Sequence, residues 1–275
     1  MKCVSSTPVS EYALGMRSYF PIALVCAFAA FSVLVQPAIG AKADSELEEV
    51  AQSSESELVN GQIAMGNKYY FGKGVPQDYK ESVKWYCKAA EQGNTDAQIR
   101  LGVLYFRGDG VQRDYKEGAK WYRKAAEQGD TRAQRSLASC YSSGNGVPQD
   151  YKEAVKWWRK AAEQGDLKAQ VRLGIVYSDG EGVPQDYKEA VKWYRRAAEK
   201  GYSSAQSFLG FKYWSGQGVI QDFVQAHAWF NVASANGHGF ASESRDEVAE
   251  KMTTEQIAKA QELAKEYFEK YQPKK

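Results

Sequence analysis

Small and apolar residues recur along this chain at helical intervals, and the recurrence itself repeats. Ala169, Leu173, Gly174 and Tyr177 stand at i, i+4, i+5 and i+8, as do Ala97, Leu101, Gly102 and Tyr105, and Ala205, Leu209, Gly210 and Tyr213. That spacing lays them on one face and predicts an amphipathic helix, here called helix A. A glycine in mid-helix costs roughly 1 kcal/mol against alanine, so a close helix–helix approach is expected there. A second stripe, Ala190, Trp193, Ala197 and Ala198, predicts a helix B that stops at Gly201, a left-handed cap. Gly180, Gly182 and Pro184 lie between the two and mark a turn, since glycine tolerates positive φ and proline fixes its own. Asp186 then stands as the N-cap of helix B, with Glu189 at capping-box spacing. Asp78 with Glu81, Asp114 with Glu117, Asp150 with Glu153 and Asp222 with Gln225 repeat the arrangement.

Gly74, Gly110, Gly146, Gly182 and Gly218 place one such unit every 36 residues without insertion. Neither helix can bury its stripe alone, so stacked pairs must share a continuous core, and a fixed period of this length is the signature of a solenoid. The wording A-x-x-x-L-G-x-x-Y-x-x-G followed by G-V-x-Q-D-Y-x-x-A-x-x-W-Y-x-x-A-A-x-x-G resembles Sel1-like repeats, relatives of the tetratricopeptide repeats. The resemblance spans residues 58–237. It implies an all-α, right-handed α/α superhelical solenoid of five two-helix 36-residue repeats, with helix A side chains lining a concave surface. The first unit is degenerate, with Gly61, Met65 and Gly66 at the Ala, Leu and Gly positions. Residues 238–275 leave the repeat wording. Thr253 with Gln256 and the stripe Ile257, Ala260, Leu263, Ala264 and Phe268 predict capping helices there.

The N-terminus is a different polymer. Lys2 and Arg17 precede an apolar run from Tyr19 to Val35, and small residues follow. This is the layout of a secretory signal peptide over 1–41, with cleavage near Gly40, Ala41 or Ala43. The run is short for a spanning helix, which needs roughly 20 residues, and an uncleaved anchor is the alternative. Met16 is an alternative start. Residues 42–57 read as an acidic tether, with Asp44, Glu46, Glu48, Glu49, Glu55 and Glu57 and, beyond Lys42, no Lys or Arg. A periplasmic or secreted location is therefore expected. Loss of the signal removes Cys3 and Cys26 and leaves Cys87 and Cys140, about one and a half repeats apart. A bridge needs Cα atoms within about 7 Å, so two free thiols are expected, with Cys87 exposed enough to link two chains.

Charge and composition exclude more than they assign. Lys and Arg number 36 against 34 Asp and Glu, without the clustered basic excess of a nucleic-acid binder. The KEAVKW segments carry Glu close to Lys and read as a solvated helix face. Trp85, Trp121, Trp157, Trp193 and Trp229 occupy one equivalent position and read as core. His227 and His238 are the two histidines, with neither helical zinc spacing nor a Cys-x-x-Cys beside them. The acidic glycine turns lack the alternating acids of a calcium loop. No cofactor, metal or catalytic residue is expected.

The tetratricopeptide resemblance implies that binding positions lie on helix A. Mapped onto this chain they are Tyr70 in the first unit, and Ile99, Val103, Phe106 and Arg107 in the second. The third gives Arg132, Arg135 and Ser139, with Ser142 beside them; the fourth gives Lys168, Val171 and Ile175, with Ser178 beside them. Phe211 and Trp214 complete the set in the fifth, with Ser207 beside them. These side chains suit an exported scaffold or adaptor that holds a protein or peptide in its groove. No nucleic-acid, membrane or small-molecule ligand is expected. Two alternatives stand: a cell-envelope hydrolase of the β-lactamase-like Sel1 type, whose paired cysteines this chain lacks, and a structural spacer.

Overall fold

The computed structural model describes residues 53 and 56–271. The signal-peptide segment 1–41 and most of the acidic tether lie outside the described residues. Twelve helices and no strand occur among those described. They are α1 (56–71), α2 (Tyr79–Glu91), α3 (Thr95–Arg107), α4 (Tyr115–Glu127), α5 (Thr131–Ser143), α6 (Tyr151–Glu163), α7 (Leu167–Asp179), α8 (Tyr187–Ala198), α9 (Ser203–Ser215), α10 (Phe223–Ala235), α11 (Ala241–Ala249) and α12 (Thr254–Lys270). Odd numbers from α1 to α9 are the A helices, and even numbers from α2 to α10 the B helices. Ser56 and Glu57, the last two positions of the expected tether, already belong to α1.

The helices fall into two compact units. The smaller runs to Ala97 and includes Asp109–Gln112. In it the Ser82 hydroxyl donates to the Gly66 carbonyl at 2.9 Å, and the Tyr86 phenol donates to Asn67 Oδ1 at 2.8 Å. Cys87 in α2 is half-exposed and disulfide-bonded. The expectation of two free thiols therefore fails at this residue, whose accessible sulfur is open to oxidative pairing.

The larger unit comprises Gln98–Gly108 and everything from Arg113 onward. Its helix pairs stack in solenoid fashion around one core, in which paired alanines such as Ala125 and Ala126, or Ala161 and Ala162, let the helices approach closely. The mid-helix glycine has the expected cause. A Cβ on Gly174 would lie 2.4 Å from the Tyr194 ring, and one on Gly102 2.4 Å from the Tyr122 ring. Contacts under 3 Å do not exist in packed cores, so the tyrosine and a side chain on the facing helix exclude each other. The third repeat solves the same contact differently, with Ala138 and Trp158, both buried.

Polar groups lock each repeat to the next. Arg123 donates to the Tyr141 hydroxyl at 2.7 Å and Arg195 to that of Tyr213 at 2.9 Å, and Arg159 with Tyr177 makes the third such pair. Buried glutamines on the A helices reach back to the preceding B helix: Gln134 to the Ala126 carbonyl, Gln170 to Ala162 and Gln206 to Ala198. Side-chain oxygens at this position also accept from the residue that ends their own B helix, Gln128 donating to Gln98, Gln164 to Gln134 and Asn236 to Gln206. In the fourth repeat that residue is Lys200, and the Gln170 Oε1 is left buried with no partner.

One local expectation is corrected. The Asp N-caps form, Asp186 accepting from the Glu189 amide at 3.0 Å, but the reciprocal half of the box does not. The Asp186 N–H already donates to the Tyr177 carbonyl at 2.8 Å, so the Glu189 carboxylate turns to Lys192 instead. Only at Thr253 and Gln256 is a complete capping box formed among the described residues. The glutamines of the interhelical turns, unread in the sequence, have a defined task. Gln149, Gln185 and Gln221 donate to the carbonyls of Ser142, Ser178 and Trp214, satisfying acceptors that a helix end leaves open.

At the C-terminal end α12 packs on α10. Ala264 is buried against Ala228 and Val232, and Tyr267 lies with its ring centroid 4.5 Å from that of Trp229. Tyr267 thus takes the inward position, while Phe268 of the expected stripe is exposed.

Candidate functional site

Three A helices of the larger unit, α3, α5 and α7, bring Phe106, Arg135, Ser139, Lys168, Val171 and Ile175 into the wall of one hollow of ≈ 630 Å³. All six were expected binding positions. Tyr122, Ser136, Ser143, Arg172, Tyr202 and Phe208 complete much of the lining. A second hollow of ≈ 380 Å³ shares Ile175 and Phe208 with the first, and adds Phe211, Tyr194, Ser178, Asp179 and Lys212.

The remaining expected residues stand elsewhere. Ile99 and Val103 are half-buried against the core, and Arg107 and Arg132 are exposed outside the lining. Trp214 joins a separate cluster with Phe223 and Met252, its ring beneath the Lys251 ammonium at 5.2 Å. Ser207 is buried. Tyr70 belongs to the smaller unit, where its ring meets Phe71 and Tyr79 edge-on. Arg172 and Phe208, each one residue from a selected position, were missed. A helix turns about 100° per residue, so positions carried over from the resemblance place the edges of a face only to within one residue.

The first hollow is cationic at one end. Arg135 is answered by Asp166, with Nη1 and Oδ2 2.5 Å apart, and Asp166 also caps α7 by accepting from the Ala169 amide at 2.8 Å. One carboxylate therefore fixes both the arginine of one repeat and the start of the next helix. Lys168 and Arg172 are exposed, and no ion pair among the described residues engages them. The second hollow differs. Lys212 is only 8% exposed, at a place where the preceding repeats carry Leu104, Cys140 and Val176. Burial holds its ammonium below the ordinary lysine range, with Asp179 opposing that effect. It donates to Gln217 at 2.9 Å and lies 4.7 Å from the Tyr187 ring centroid.

The lining of the first hollow contains no histidine and no carboxylate. Three of its serines are turned to their own helix, Ser136 donating to the Arg132 carbonyl, Ser139 to that of Arg135 and Ser143 to that of Ser139. Burial pushes the Cys140 thiol up to about 12, which suppresses the nucleophilic thiolate at neutral pH. His227 is buried within α10. Among the described residues no cluster of His, Cys, Asp or Glu could hold a metal ion, and no helix is long and apolar enough to cross a membrane. The repeated lysines behave as a solvated face: Lys120 pairs with Glu117 and Lys192 with Glu189, while Lys124 and Lys160 lie over the rings of Trp121 and Trp157.

Comparison with known proteins supports the same architecture. The family model described as Sel1 repeat matches five consecutive stretches, 59–94, 95–130, 131–166, 167–202 and 203–238. A Sel1 repeat protein from Oxalobacter formigenes is 35% identical, with a TM-score of 0.64, over 75% of this chain and 84% of that one. The c5321 protein of uropathogenic Escherichia coli, described as a protective antigen displaying an SLR fold, is 31% identical over 80% of this chain and 70% of its own, with a TM-score of 0.44. No curated protein matches the chain.

Proposed function

The chain belongs to the Sel1 repeat family, and from that premise we propose that it is an exported interaction scaffold that captures a protein or peptide segment on its A-helix face without catalysis of its own. The family's fold is generally used for protein–protein interaction. The observation that carries the reading is the hollow shared by α3, α5 and α7, where six expected binding side chains from three repeats meet. Phe106, Ile175, Phe208 and Phe211 supply aromatic and aliphatic anchors, the residue types that dominate binding energy when a partner desolvates them. Export rests on the signal-like run from Tyr19 to Val35.

The test is cross-linking capture from the cell envelope, comparing the natural chain with a Lys168→Glu, Arg172→Glu, Ile175→Asp variant whose thermal unfolding remains cooperative. A partner lost by the variant supports the groove. Equal capture by both moves the site to another face. Fractionation of the host cell checks location, and recovery of the protein in the cytoplasm would overturn export.

A further inference from the structure

We infer that the occupant of the hollow is an acidic peptide segment, with one or two carboxylates within three residues of a bulky apolar side chain. This rests on the peptide-capture reading above and gives it a chemical class. The two hollows differ in charge although they share a wall. The first is lined by Arg135, Lys168 and Arg172 and by no acid, and Asp166 neutralises only the first of these. Lys168 and Arg172 sit on successive turns of α7, both exposed and without an ion pair among the described residues. The second hollow holds one lysine and one aspartate, Lys212 and Asp179, among Ile175, Tyr194, Phe208 and Phe211. It is apolar with no net charge.

Geometry then fixes the spacing of the ligand. Ile175 and Phe208, common to both hollows, form the seat for an apolar side chain. From Ile175, Arg172 is one turn back along α7 and Lys168 two, about 5 Å and about 10 Å at 1.5 Å per residue. An extended peptide advances about 3.3 Å per residue. With its anchor on Ile175 and Phe208, the residue two positions away, whose side chain lies on the same face of the peptide as the anchor, comes between the levels of Arg172 and Lys168, where both long side chains can meet it. Carboxylates there gain cationic partners, and lysine or arginine there would meet like charge.

The experiment uses the purified full chain, immobilised, and a soluble library of nonapeptides with Phe or Leu fixed at the centre and all other positions randomised. Sequencing of the retained peptides is expected to show several-fold enrichment of Asp and Glu within three residues of the anchor. A retained acidic peptide should bind the Lys168→Glu, Arg172→Glu variant roughly tenfold more weakly, and that variant's own selection should turn toward Lys and Arg. Both residues are exposed, so the variant keeps its fold, which its melting temperature checks. Retention without acid preference, or with a preference unaltered by the charge reversal, overturns the acidic assignment and leaves peptide capture standing. Retention of no peptide by the natural chain overturns both.

Discussion

The B helices and the A helices of the larger unit solve different problems. Helices α4, α6 and α8 carry almost the same words, YKEGAKWYRKAAE, YKEAVKWWRKAAE and YKEAVKWYRRAA. Apart from the tyrosine that opens each helix, their aromatic and alanine positions are buried, and their arginines and terminal glutamines bond to side chains of neighbouring A helices. The A helices α5, α7 and α9 keep only the alanine, glutamine, leucine, glycine or alanine, and tyrosine that meet those partners. Their other face changes from serine and arginine to valine and isoleucine to phenylalanine. Positions held from two sides repeat, and positions facing the hollow differ, because only the first are constrained by the stacking itself.

The sharpest way to break that contrast is to remove a side chain held from two sides. Tyr194→Ala, which empties a site 1% exposed beneath Gly174, is expected to cost about 3–5 kcal/mol in chemical denaturation. Next in size is a pair of glycines two residues apart. A Cβ on Gly146 would lie 2.0 Å from the Tyr115 carbonyl oxygen of the preceding repeat, whereas one on Gly144 meets nothing closer than 3.4 Å, and both have positive φ. Gly146→Ala should cost about 3 kcal/mol and Gly144→Ala about 1 kcal/mol, a difference that isolates the inter-repeat contact. Lys200→Gln should stabilise by about 1 kcal/mol, because it restores the donor that the Gln170 side chain lacks.

A smaller effect depends on pH. Burial first, and then Arg245, hold the His227 imidazole below its ordinary range, with Asp246 opposing. The unfolded chain therefore takes up its proton first as pH falls through about 6.5, so stability declines there and levels off below the folded value. A His227→Leu variant should show a flatter melting temperature between about pH 7 and about pH 5. Smallest of all, Lys168→Glu with Arg172→Glu should move stability by less than about 0.5 kcal/mol while altering what the hollow retains. A large loss of stability in that variant would erase the distinction between the two helix sets.

The repeat was legible in the sequence because each constant residue recurs at one offset from unit to unit, and chance cannot sustain that. A close approach at Gly174 was likewise readable from its cost in mid-helix, though not that a tyrosine ring makes it. The capping box was misread at the B helices because the competitor for the Asp186 N–H, the Tyr177 carbonyl, lies upstream in another helix. The hollow was half legible. The binding positions implied by the tetratricopeptide resemblance included Arg135, Lys168 and Ile175, but which edge residues turn inward depends on how neighbouring A helices lie against each other. Phe208 therefore lines both hollows while Ser207 beside it is buried.

The bonds between helices of the larger unit recur at fixed sequence intervals: 18 residues for arginine to tyrosine, and 30 for the glutamine pairs. A gene that codes such a protein contains its own crossover points. Exchange between two near-identical stretches inserts or excises one whole unit, and the new junction receives the same donors and acceptors as the old. Copy number can thus change without a new folding problem, while the order of the divergent A-helix faces is reshuffled. Mistakes in copying the gene become a means of composing new surfaces.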